Sequence, residues 1–146
     1  MNGEQMTGIE RLRSMLSGNR SAPYGELLGF RPIEVEEGVV VFEGAPDERH
    51  YNPQGIVHGG YAASILDSCM GCSVETLLGP GVGYSTIELK INYVRAMTRE
   101  TGLVRATGTS IHAGRRIATA EGRLTDANGK LLAHGSTTCM ILPTKT

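Results

Sequence analysis

The chain has 146 residues, with 14 Lys and Arg against 15 Asp and Glu, a formal charge of -1 and no Trp. That length suits one domain with a real core, while the balanced charge and scarce aromatics exclude the basic field and stacking platforms of a nucleic-acid binder. No run approaches the roughly 18 apolar residues of a membrane span, and the first seven residues carry Glu4 and no apolar stretch, so no secretory leader is expected and a cytoplasmic protein is.

In chain order, 7–17 sets Ile9, Leu12, Met15 and Leu16 on one face and predicts a short amphipathic helix. A loop over 17–23 leads to a short helix or turn at 24–28. Segments 33–36 and 39–44 read as two strands joined at Glu37-Gly38, a tight-turn signal. After a polar stretch, the run Asn52-Pro53-Gln54-Gly55-Ile56-Val57-His58-Gly59-Gly60 opens onto a predicted helix over 61–78.

That helix has an unusual charge pattern. No Lys or Arg lies between Arg49 and Lys90, so Asp67 has no cation at i±3 or i±4; its helical neighbours are Ala63, Ser64, Met70 and Gly71. A carboxylate so placed is costly to bury and is a candidate for chemistry. The alternative is a residue on a partly exposed edge with no role. Cys69 and Cys72 have C-x-x-C spacing, but they fall inside the helix and only Cys139 remains as a third thiol. A structural zinc wants four ligands, so they read as small core residues of a reducing compartment. Gly71 costs the helix about 1 kcal/mol against Ala, which calls for a packing reason.

Residues 79–83 form a breaker-rich helix exit. Their glycines follow a helix and precede a strand, the reverse of a dinucleotide-binding turn. Segments 84–97, 102–112, 116–125 and 130–142 are rich in Ile, Val, Thr and Tyr and partly alternating, so they read as strands. The turns between them are short, Asn128-Gly129 being a hairpin signal, and short turns join antiparallel neighbours, so the four strands are expected to form a meander. The fold class is α+β: one long helix against a curved antiparallel sheet.

The pattern Asn52-x-x-Gly55-x-x-His58-Gly59-Gly60 followed by Asp67 resembles the signature of hotdog-fold acyl-CoA thioesterases, in the PaaI-type (phenylacetic acid degradation-like) branch of the 4-hydroxybenzoyl-CoA thioesterase superfamily. The likeness runs over about 24–142 and includes Leu28-Gly29-Phe30 and Tyr93-Val94-Arg95. It implies an N-terminal helix and loop over 1–22 and a single hotdog domain over 23–146. It further implies that Asp67 is the nucleophile or general base, and that the Gly59 N–H binds the thioester oxygen. Asn52 would position water or thioester, while His58 would orient the loop and support Asn52. Thr86 or Ser85 would supply a hydroxyl that holds the water, and Arg115 and Arg116 would meet the coenzyme A phosphates. No metal or redox cofactor is implied, since coenzyme A enters as part of the substrate.

Elementary physics asks for the same parts: a donor where an oxyanion develops, and a carboxylate to attack or to deprotonate water. A helix N-terminus supplies free N–H groups, and Gly59 has no side chain to block a carbonyl. Eight helical residues place Asp67 about 12 Å along the axis from Gly59, too far for both to touch one carbonyl. The expectation is therefore a homodimer whose two sites are shared, and the resemblance adds pairing into tetramers. His58 alone is as readily a structural histidine. His50, His112 and His134 read as surface or structural, Glu75 as a solvated helix residue and Glu88 as structural. The rivals are a non-catalytic acyl-CoA-binding hotdog protein and a hotdog dehydratase or hydratase.

Overall fold

A computed structural model of the chain describes residues 6–143. Residues 1–5 and 144–146, on which the expectation of no leader and the ends of the two expected segments fall, lie outside the described residues. The elements in order are α1 (Gly8–Ser17), α2 (Pro23–Leu28), β1 (Phe30–Glu36), β2 (Val39–Gly44), α3 (Gly59–Glu75), β3 (Gly83–Tyr93), β4 (Val104–Ala113), β5 (Ile117–Asp126) and β6 (Leu131–Leu142). One six-stranded antiparallel sheet, ordered β1-β2-β4-β5-β6-β3, curves around α3. This is the α+β hotdog arrangement that the resemblance implies. Among the described residues no helix is long and apolar enough to cross a membrane.

Local chemistry sets the element ends. Thr7 and Glu10 form a reciprocal capping box at the start of α1. α3 begins two residues before the expected 61 because the His58 side chain caps it, its Nδ1 accepting from the Gly60 N–H. It ends at Glu75 rather than 78, since the Leu77 and Leu78 N–H groups bond three residues back in a tightened turn. β1 starts at Phe30 and tolerates Pro32 because it is an edge strand, with a register shift at that point. At the β5–β6 hairpin, Gly129 has φ +80°, and Asp126 Oδ1 accepts from the Asn128 and Lys130 N–H groups.

The core lies between α3 and the sheet. Ile65, Leu66, Cys69 and Met70 are fully buried against Val40, Val104, Ala118 and Leu124. Close approach is carried by a sheet glycine: a Cβ on Gly108 would sit 2.2 Å from the Cys69 carbonyl oxygen. Gly71 has its own packing reason, because the Tyr84 ring lies where its Cβ would be. Cys69 packs in this core as expected.

Two expectations need correction. Only β4-β5-β6 is a meander. β3 ends at Tyr93 and pairs with β6 at the far edge, so 94–103 is a crossover to β4 rather than a turn. Three strand spacings are about 14 Å and ten residues reach about 33 Å, so the connection is easily made. The crossover is pinned where the Val94 and Arg95 N–H groups bond to Leu132 O, and where Val57 N–H bonds to Met97 O. Second, Glu75 is not a solvated helix residue. Its side chain is 20% exposed and pairs with Arg11 of α1 at 3.2 Å. Burial raises its carboxyl above the usual range against the opposing effect of Arg11.

Candidate active site

The loop before α3 is built by Asn52. Its side-chain oxygen accepts from the Gln54 N–H at 3.0 Å and the Ile56 N–H at 3.4 Å. Gly55, at φ +80°, lets the chain reverse there. Two N–H donors identify that atom as oxygen, which leaves the Asn52 amide NH2 as the end free for a ligand. His58 then directs its ring at the backbone of α3 and makes no hydrogen bond to Asn52 among the described residues. Its role in the structure is helix capping, rather than the support of Asn52 that the resemblance implies.

The first peptide of α3 is held at both ends. Its N–H, on Gly60, donates to His58 Nδ1 at 2.8 Å. Its carbonyl, on Gly59, accepts from the Tyr93 hydroxyl at 2.8 Å. The Gly59 N–H itself has no acceptor among the described residues, as expected of the first helical amide. It lies at the wall of a cavity of about 280 Å³ lined by Asn52, His58, Gly59, Tyr93 and Arg95, among others. The helix dipole adds partial positive charge there. The arrangement suits an oxygen that gains negative charge.

Asp67 lies elsewhere. It is half-buried on α3, where Thr86 Oγ1 of the edge strand β3 donates to its Oδ1 at 2.9 Å. It does not line the Asn52–Gly59 cavity. Thr86, rather than Ser85, is the hydroxyl beside it: Ser85 is exposed on the opposite face of β3. Arg115 and Arg116 are exposed in the β4–β5 turn, beside a groove of about 690 Å³ that also involves Val82, Ile117 and Met140. The single chain thus brings together Asn52, His58 and Gly59 in one place and Asp67 with Thr86 in another, and leaves the two arginines apart from both.

Tyr93 escapes the sequence reading, and a bulge explains why. β3 pairs with β6 through Thr86↔Cys139 and then Glu88↔Thr138, so Ile87 is an extra residue. The phase flips there. Beyond it Leu89, Ile91 and Tyr93 pair with Thr137, Gly135 and Ala133, on the same face as Thr86 and Cys139. Strict alternation would set Thr86 and Tyr93, seven apart, on opposite faces. The same uncertainty of phase leaves Ser85 and Thr86 undecided in the sequence.

Residues 54–133 match the family model of the thioesterase superfamily (4HBT). The chain is 27% identical to a 1,4-dihydroxy-2-naphthoyl-CoA hydrolase of Listeria monocytogenes, over 73% of this chain and 85% of that one. It also superimposes on a conserved protein from Pseudomonas aeruginosa with TM-score 0.79 and 32% identity, covering 89% of this chain and 98% of that one. The phenylacetic acid degradation protein PaaI of Thermus thermophilus, solved as a mutant, gives TM-score 0.73 and 26% identity over 81% of this chain and 97% of that one. With the matched span covering more than half of its residues, the chain belongs to the thioesterase superfamily.

Proposed function

We propose that the protein hydrolyses an acyl-CoA thioester to a carboxylic acid and free coenzyme A. The observation that carries this is the pairing of an unengaged Gly59 N–H, next to a peptide clamped at both ends, with a carboxylate held by Thr86 at midhelix. Thr86 engages one oxygen of Asp67 and leaves the other to take a proton from water, or to attack. Oxygen adds to the thioester carbon, whose carbonyl oxygen takes up the electron pair at the Gly59 N–H. The C–S bond then breaks, and the coenzyme A thiolate takes the proton that water gave up; where Asp67 itself attacks, water then hydrolyses the acyl–Asp67 anhydride, releasing the carboxylic acid and supplying that proton. The Asn52 amide NH2 orients the water or the thioester. Arg115 and Arg116 meet the coenzyme A phosphates in this reading, both being free of ion pairs among the described residues.

Each complete site needs two chains, because Gly59 and Asp67 stand about 12 Å apart along one helix. The edge strand β3 supports a homodimer: among the described residues it has no outer neighbour, and it exposes Ile87, Leu89 and Tyr93. Thiol release over a panel of acyl-CoAs tests the reaction, with wild type expected to turn over and Asp67→Ala to lose about 10²–10⁴-fold in kcat. An equally active D67A, or binding without thiol release, overturns it. Change at an acyl double bond without thiol release would favour a dehydratase or hydratase.

A further inference from the structure

Behind the Gly59 N–H runs a line of hydrogen bonds that begins on α2. The peptide that carries this N–H has the His58 carbonyl at its other end, and His58 O accepts from the Tyr61 N–H at 3.0 Å. The peptide that carries the Tyr61 N–H has the Gly60 carbonyl at its other end, and Gly60 O accepts from Ser64 Oγ at 2.7 Å. That bond uses the one hydrogen of the Ser64 hydroxyl. At the 2.8 Å contact between the Tyr24 and Ser64 hydroxyls it is therefore Tyr24 that donates. All the groups point one way, from the Tyr24 hydroxyl through that of Ser64 and two peptides to the Gly59 N–H. The Gly59–Gly60 peptide, held by His58 Nδ1 and Tyr93, stands outside this line.

Local sequence sets both hydroxyls. Pro23 starts α2 and Gly29, at φ +79°, ends it, which fixes the point from which Tyr24 projects. The Tyr24 ring meets Phe30 edge-on, with centroids 6.5 Å apart. Ser64 bonds back onto its own helix, which slightly weakens a helix relative to Ala. Stability alone does not ask for a hydroxyl there.

We propose that Tyr24 and Ser64 are positioning residues for the thioester carbonyl, acting through two peptides to aim and polarise the Gly59 N–H. The inference rests on the hydrolase reading for the oxyanion that this N–H meets. A carbonyl that accepts a hydrogen bond draws electron density from its own N–H, which becomes the stronger donor; each link adds about 10–30% to the next bond. An oxyanion donor is worth about 10²–10³ in kcat, so that share amounts to about two- to eightfold per link. The gain arises only where negative charge develops, so it enters kcat and leaves KM alone.

Steady-state thiol release and thermal unfolding are measured for Ser64→Ala, Tyr24→Phe and the double variant. Ser64→Ala should lower kcat about fivefold and Tyr24→Phe, one link further out, about twofold, with KM unchanged. Tm should not fall in S64A, because Ala is the better helix former. The double variant should match S64A, since Tyr24 reaches the amide only through Ser64. Ser64→Thr keeps a hydroxyl that can bond back to the carbonyl four residues earlier, and should stay within about twofold of wild type. By NMR, the Gly59 amide proton should move upfield in both single variants, a readout that needs no turnover. A kcat loss that tracks a fall in Tm, a double variant whose losses multiply, or a Gly59 amide unmoved in S64A overturns the relay. Wild type without thiol release, its Gly59 amide still following Ser64 and Tyr24, instead removes the hydrolase reading and leaves the relay to that N–H.

Discussion

The hydroxyl of Tyr93 reaches a backbone carbonyl, and the same ring stands where a side chain on Gly59 would be, 2.9 Å from its Cβ position. Gly59 is therefore needed for the seat of Tyr93 and, in the proposed reaction, for the approach of substrate. Because Tyr93 is 59% exposed, removing its hydroxyl should scarcely affect folding. It should instead loosen the peptide that follows Gly59 and with it, in the proposed reaction, the aim of the Gly59 N–H. Tyr93→Phe is expected to lower kcat about five- to tenfold, the worth of one neutral hydrogen bond, with KM and Tm nearly unchanged. Tyr93→His, which keeps a donor, should recover part of the loss. Steady-state kinetics with thermal unfolding decide it; a fall in Tm with intact kcat would make Tyr93 merely structural.

At the level of elements, the contact that decides the fold is that of α3 on the middle of the sheet. Small residues in the helix sequence predict a close approach, yet the tightest point belongs to β4. There a Cβ on Gly108 would press on the backbone of Cys69 and Met70, which cannot step aside as a side-chain tip can. Gly108→Ala should cost about 3 kcal/mol or more in urea unfolding. Gly79→Ala, in the loop after α3 with open space around it, should stay within about 0.5 kcal/mol. Comparable losses at the two positions would show that the approach of helix and sheet is looser than described.

At the level of the whole molecule, the proposed reaction calls for what a single chain lacks. Among the described residues the Asn52–Gly59 cavity has no carboxylate in its wall, and neither Asp67 nor Thr86 lines it. If two chains pair through β3 and share sites, Asp67→Ala and Asn52→Ala are each inactive alone. Unfolded together and reassembled, half the dimers are mixed and each mixed dimer regains one of two sites, giving about a quarter of wild-type activity. Thiol release after reassembly, with dimers verified by size, measures this. No recovery would sink the sharing.

The candidate residues Asn52, His58, Gly59 and Asp67 could be singled out without coordinates, because they lie within one loop and one helix and their spacing carries the family resemblance. Element identity was legible for the same reason: periodicity and turn residues act over a few positions. The partner of β3, the burial of Glu75 and the placing of Tyr93 were not. Each depends on a contact far along the chain: a strand that pairs with β6 while the chain after it crosses three spacings to β4, an arginine 64 residues away, and a bulge at Ile87 whose phase only the pairing with β6 defines. Local propensity determined which segments are helix or strand; packing between distant segments determined which side chains meet.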